Sequence, residues 1–216
     1  MGAESLFEVG GVKLYPTIEP TCPPDKPIQG NYIAAKIWNN YGGEIGKQAE
    51  AHDIPVAAAL AVFMTEAGGE AYDPATGLLI IQCEEWYFEK LTGSHMANAY
   101  MRQPREWKSF RKAYLINPTA ALMSTSWGLA QVMGFNHEIV GYPGPAQMVT
   151  AFQYSAAAQV KAFFDFCTAN RTNKYIRAQD WPSFVRVYNG RGQVPHYTKV
   201  LKNNLMAAKA ALNVLP

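Results

Sequence analysis

Cysteine, histidine and charge are all scarce in this chain, and each scarcity narrows what it can be. The three cysteines among 216 residues, Cys22, Cys83 and Cys167, are odd in number and far apart. They lack metal-ligand spacing, and they fit reduced thiols in a chain made in a cytosol rather than a disulfide framework. His52, His95, His137 and His196 form no close pair, so no zinc site is expected. Charged residues make up 17% of the chain and the net charge is only +2. That is too little to point to nucleic acid, although it suits an anionic polymer such as a cell wall. No G-x-S-x-G, Walker A or Rossmann glycine pattern occurs, and no metal or cofactor is expected.

Export and membrane signals are missing as well. The opening residues, MGAESLFEVGG, carry acids where a secretory leader would carry basic residues, and no apolar segment follows. The apolar run within Ile54–Thr65 is too short for a bilayer span of about 20 residues. A soluble protein made in the cytoplasm without a signal peptide, with no membrane insertion, is therefore expected. Its hydrophobic content of 49% is that of a globular chain with a substantial core.

What the chain does have is one stretch, Asp53–Gly69 (DIPVAAALAVFMTEAGG), that is almost wholly apolar until it meets Glu66. A surface helix would carry a polar face; this one carries almost none and should be buried on all sides. Asp53 is placed to cap its first turn, Pro55 is tolerated there, and Gly68-Gly69 ends it. A lone acid at the end of a buried helix is expensive to ionise, so it is tolerated, paired or used.

Around that helix the expected fold class is mainly α, with a small β-hairpin region. Residues 1–30 read as an extended lead-in with a short strand at Gly11–Tyr15, and residues 31–216 as one domain. Asn31–His52 is predicted helical in two pieces broken at Gly42-Gly43. Leu78–Cys83 (LLIIQC) is the strand candidate, and Glu84 to Phe88 restarts a helix. Helices are predicted over Glu106–Leu115, Pro118–Met123, Ala146–Asn170, Asp180–Tyr188 and Tyr197–Asn213. Between them lies a glycine-punctuated segment, Ser124–Asn136, that is neither plain helix nor plain strand.

The chemistry-bearing residues follow from this order. Burial and the negative end of the helix dipole both push the pKa of Glu66 upward. A carboxylic acid held protonated near neutral pH is what a glycosidase needs to protonate a leaving oxygen. Glu84, 18 residues on and just past the strand, is the candidate second carboxylate; equally, it suits an ordinary helix-start acid favoured by the dipole. Asp73, in a turn, is the lower-ranked alternative. Ser126, Gln131 and Asn136, with Tyr188 and Asn189, offer hydroxyl, amide and aromatic groups beside glycines, a composition suited to a glycan cleft. Taken singly, each fits turn chemistry or core packing better.

Together these stretches resemble the lysozyme-like superfamily, and more closely the N-acetylmuramidase domain of bacteriophage and prophage endolysins. The residues that carry the resemblance are Ile37 to Gly43 (IWNNYGG), Glu66 after its apolar helix, Glu106-Trp107, Ser126 to Asn136 (SWGLAQVMGFN) and Tyr188-Asn189-Gly190. The resemblance implies a helical lysozyme-like fold and cleavage of the β-1,4 bond between N-acetylmuramic acid and N-acetylglucosamine. It places the general acid at Glu66, matches Glu84 to the second acidic position, and lines the saccharide cleft with Gln131, Tyr188 and Asn189. Two departures from the family pattern cover three positions: Ala67 stands where a Ser is usual, and Gln82-Cys83 where Arg-Phe is usual. The implied partners are peptidoglycan glycan strands, acted on by a monomer after release by a separate holin-type protein. The alternatives are a lytic transglycosylase giving 1,6-anhydro ends, a non-catalytic wall-binding or virion structural domain, and a toxin held by an immunity partner.

Overall fold

The apolar run ending at Glu66 is a helix in the computed structural model, which describes residues 21–30 and 33–213 and the backbone of residues 7–9, 12–14 and 32. Expectations for the rest of the lead-in, residues 1–6, 10–11 and 15–20, lie outside the described residues. In chain order the elements begin with strands β1 (Phe7–Val9) and β2 (Val12–Leu14), helices α1 (Tyr32–Ala51) and α2 (Val56–Glu66), strand β3 (Ile81–Cys83) and helices α3 (Glu85–Thr92), α4 (Gln103–Ile116) and α5 (Pro118–Met123). Strands β4 (Thr125–Trp127) and β5 (Val132–Met133) and a 3-10 turn at Gly134–Asn136 follow. The remaining helices are α6 (Pro145–Tyr154), α7 (Ala156–Ala169), α8 (Asn173–Arg177), α9 (Trp181–Tyr188) and α10 (Val194–Leu212). The fold is mainly α, as expected, and α8 is an addition to the sequence reading. Contacts divide the chain into two compact units, one holding β1, β2 and Glu70–Gln159, the other holding Thr21–Gly69 and residues 160–213.

In the second unit α2 is central. Its residues from Ala58 to Met64 are all buried, which is why no polar face was needed. It packs against α1 and α10, and Phe63 meets Phe163 edge-on at 5.1 Å. Burying side chains such as Leu60 and Phe63 stabilises the unit by about 1.5–3 kcal/mol each. The start of α2 corrects the sequence reading. Pro55 is the N-cap, and Asp53 sits before it in the left-handed region at φ 51°, its carboxylate on the Arg177 guanidinium at 2.8 Å. With the helix starting at Val56, Asp53 is too far upstream to cap it. The end is as expected: Gly68 and Gly69 both have positive φ, 59° and 83°. A Cβ on Gly69 would fall 2.8 Å from Ile37 Cγ1, so the chain leaves the helix where only glycine fits.

The predicted break in α1 is absent. The helix runs straight through Gly42-Gly43 because those glycines serve close approach rather than chain reversal. A Cβ on Gly42 would lie 2.7 Å from the Trp38 ring, and one on Gly43 would lie 2.6 Å from the Pro23 carbonyl.

In the first unit β3, β4 and β5 form an antiparallel sheet in that order, with Ile81 opposite Trp127 and Ser126 opposite Met133. Only the last part of the Leu78–Cys83 candidate enters the sheet; Leu79 instead forms an isolated bridge to Tyr72. The Gln103 side chain acts as an extra strand partner, accepting from the Ile81 N–H at 2.9 Å and donating to its carbonyl at 3.0 Å. Trp107, Phe110 and Trp127 pack edge-to-face beneath the sheet, with ring centres 5.2–6.1 Å apart. Gly134 is pressed against the end of α5: a Cβ there would sit 1.9 Å from the Leu122 carbonyl oxygen.

Gly134→Ala is therefore expected to destabilise the fold by about 3 kcal/mol or more. Gly192→Ala, where an added Cβ meets nothing within 4 Å, should change stability by no more than about 0.5 kcal/mol. Chemical denaturation of the two variants beside the parent checks this, and equal stabilities would refute the close approach.

Candidate active site

Glu66 is the last residue of α2, and the element that meets it is the C-terminal end of α9. Asp180 caps α9 by accepting from the Ser183 N–H at 3.2 Å, and Trp181, Phe184 and Val185 are buried on one face. Tyr188 ends the helix on that face. Its ring stacks on Phe184 at 5.1 Å and meets Phe163 and Phe166 edge-on at 6.0 and 5.1 Å. The next residue, Asn189, donates from Nδ2 to Glu66 Oε1 at 2.9 Å. The structure thus joins Glu66, Tyr188 and Asn189 in one cluster.

The electrostatics of this cluster follow from burial. Glu66 keeps a partly exposed edge, but its surroundings exclude enough water to push its carboxyl to about 7, with the Asn189 hydrogen bond pulling weakly the other way. Near neutral pH the group is therefore divided between acid and carboxylate. Burial, with the Glu66 charge adding to it, holds the Tyr188 phenol well above its ordinary range, so it stays neutral. Asn189 Oδ1 is buried without a hydrogen-bond partner among the described residues, an orphaned acceptor beside the acid. Thr65, one residue before Glu66, is fixed from two sides: its hydroxyl donates to the Ala61 carbonyl at 2.7 Å and accepts from Asn204 Nδ2 at 2.9 Å.

The first unit holds a second cluster. Glu84 is the N-cap residue of α3, without a side-chain capping bond. Its carboxylate instead accepts from Gln82 Nε2 at 2.8 Å. Burial raises its pKa, Gln82 opposes that, and the charge of Glu106 adds to it. From Gln82 the connections continue: the single Ser126 Oγ proton is donated to Gln131 Oε1 at 2.8 Å, with the Gln82 carbonyl sharing it at 3.4 Å. Gln131, at φ 49°, donates back to the Gly128 and Ile80 carbonyls at 2.8 and 3.3 Å. Glu84, Ser126 and Gln131 are therefore linked through Gln82, and the Gln131 amide is turned inward to hold the β4–β5 turn. Asn136 lies apart from this chain of bonds, at the end of the 3-10 turn. Asp73 closes its own loop, accepting from the Ala75 N–H at 3.2 Å and from Thr76 Oγ1 at 2.8 Å.

Several residues were not singled out from sequence as site residues. Glu106, fully buried, accepts from the backbone N–H groups of Cys83, Ala99 and Met101 at 3.2, 3.1 and 2.9 Å and so pins the 99–101 loop to β3. Trp86 and Tyr87, on α3 two and three residues after Glu84, are exposed and touch edge-to-face at 4.9 Å; Tyr87 also meets exposed Phe135 at 5.1 Å. Of the three consecutive aromatics Phe88 alone is buried, which leaves Trp86 and Tyr87 outward. The cysteines are free. Burial pushes the Cys167 thiol to about 12 and Cys83 higher still, which removes a thiolate nucleophile. No group of three or more metal-ligating side chains occurs among the described residues.

Comparison with known proteins adds the following. The sequence model of the N-acetylmuramidase family matches residues 55–209, from the start of α2 into α10. Among solved structures the chain is similar to the Burkholderia AP3 phage endolysin, at 24% identity and a TM-score of 0.67, over 80% of this chain and 71% of that one. That likeness is one of fold, and the fold is lysozyme-like. No curated protein matches the chain.

Replacing Glu66 by Gln should make stability less sensitive to pH. The folded protein holds the Glu66 proton between pH 4.5 and about 7, where the unfolded chain has lost it. Its contribution to stability thus falls as pH rises through that window and is flat above it. Urea denaturation at pH 4 and pH 8 should show the Gln variant gaining about 3 kcal/mol on the parent. An unchanged difference would refute the raised pKa.

Proposed function

The chain belongs to the N-acetylmuramidase family, and on that premise we propose that it cleaves the β-1,4 bond between N-acetylmuramic acid and N-acetylglucosamine with Glu66 as general acid. The observation that carries the reading is the carboxyl of Glu66, pushed to about 7 at the end of a buried helix and oriented by Asn189. Such a group holds a proton at neutral pH and loses it readily. Glu66 gives its proton to the glycosidic oxygen as the bond to the anomeric carbon breaks. Water adds its hydroxide to that oxocarbenium-like carbon, and its remaining proton restores a neutral acid.

Glu84 is the proposed second carboxylate, held by Gln82, either steering the water or balancing positive charge at the sugar. The orphaned Asn189 Oδ1 suits a hydroxyl or amide N–H of the sugar, which would supply the partner it lacks. Tyr188 serves as a neutral wall. Ser126, Gln131 and Asn136 are proposed to shape the saccharide-binding surface, the first two chiefly by fixing the β4–β5 turn. The similarity to a phage endolysin supports the same role here, with a separate membrane-permeabilising protein giving access to the wall and the protein acting as a monomer.

Purified peptidoglycan digested by the parent chain should yield new reducing ends; 1,6-anhydro ends would establish a transglycosylase instead. Glu66→Gln should lower turnover by about 10²–10⁴-fold, and Glu84→Gln should also lower it while leaving the Glu66 titration in place. Activity should fall as pH rises through about 7, where Glu66 gives up its proton. Near-parental turnover by Glu66→Gln would sink the assignment.

A further inference from the structure

Helix α4 carries a charge pattern that the proposed reaction does not use. With its N-cap, Arg102, it presents Arg105, Lys108, Arg111 and Lys112, together five of the chain's 19 basic residues, and all five are exposed. The acid in that stretch, Glu106, is buried and turned to backbone amides, so it does not offset them at the surface. The local density is notable because the chain as a whole is only +2.

Helical spacing explains the sorting. Gln103, Glu106, Trp107, Phe110 and Ala113 form the buried face. Arg105, Lys108, Lys112 and Leu115, three or four residues apart, run along the opposite side. The stripe ends in apolar side chains that solvent would not favour: Leu115 is 87% exposed and Ile116 is 55% exposed. Beside it lies a groove of about 460 Å³ whose lining combines the apolar Leu78, Trp107 and Leu115 with the cations Lys108, Arg111 and Lys112.

We propose that the outer face of α4 is a docking surface for an anionic lipid bilayer, with its cations on phosphate-bearing headgroups and Leu115 and Ile116 entering the headgroup boundary. Charge complementarity argues for a phosphate-rich surface, since each Lys or Arg brought near an anionic leaflet adds attraction. The exposed aliphatic pair argues for lipid over a soluble phosphate polymer, because such side chains gain only where hydrocarbon is within reach. The contact is peripheral: the helix keeps its buried face in the core and presents only its outer side.

The test is co-sedimentation of the full chain with vesicles of phosphatidylglycerol and phosphatidylcholine, or of phosphatidylcholine alone. The parent should bind the anionic vesicles and not the zwitterionic ones. The double variant Lys108→Glu/Lys112→Glu should lose at least tenfold in partitioning. Lys199→Glu/Lys202→Glu, an equal charge change at exposed positions on α10, should lose less than threefold. Leu115→Ser, at constant charge, should lose severalfold, and circular dichroism should show each variant folded. Equal losses in the two charge-reversed variants, or binding to phosphatidylcholine alone, would overturn the proposal. So would undiminished binding by Leu115→Ser together with full displacement by soluble polyphosphate, which would assign the face to a phosphate polymer.

Discussion

The whole arrangement around α2 depends on keeping one carboxyl poorly solvated. Ionising Glu66 where water is excluded is unfavourable, and the Asn189 amide recovers only part of the lost hydration. The rest of the unit supplies the rigidity this requires. Alanines and large apolar residues bury α2 on all sides, the Thr65 hydroxyl ties its last turn to α10 through Asn204, and glycines end it where a side chain would collide with α1. The aromatic group of Phe163, Phe166, Phe184 and Tyr188 serves the same end, packing α9 so that Asn189 arrives beside the acid.

Glu84 is held by a different strategy. Glu66 sits in an apolar surround with one amide, whereas Glu84 stands at the head of a web of polar groups running through Gln82, Ser126 and Gln131 to the backbone of the β4–β5 turn. Behind it, Glu106 spends both oxygens on backbone amides and contributes a nearby negative charge. Both carboxyls are thus raised chiefly by burial, each opposed by one side-chain amide.

Much of this was legible in the residue order, for reasons that differ from element to element. The apolar run to Glu66 could only be a buried helix, and Pro118–Met123 and Asp180–Tyr188 carried their own start signals. The glycine pair in α1 misled because local propensity favours a break there. What decides it is the crowding of Trp38 and the Pro23 carbonyl against those two positions, and one-dimensional order does not record that. Asp53 misled by two residues, since Pro55 was free to take the N-cap position itself. At the second acid, Gln82 stood out only as a departure from the family pattern, yet its amide is what holds Glu84. Hydrogen-bond partners two residues apart, one on a strand and one at the next helix's cap, leave no periodic trace, and neither does a buried acid such as Glu106 that answers backbone groups.

The order of the pieces along the chain also bears on how the molecule assembles. The helix that ends in Glu66 is completed early, but α10, one of its two main packing partners, lies about 130 residues further on, after the whole Glu70–Gln159 unit. During synthesis at about 5–20 residues per second, a helix apolar up to Thr65 therefore waits many seconds for the second of these partners. Closing so long a loop is also slow because chain entropy is lost before the contacts form. The same burial that tunes one carboxyl thus rests on a contact between chain segments made far apart in time, so α2 gains its full cover only when the last helix has been synthesised.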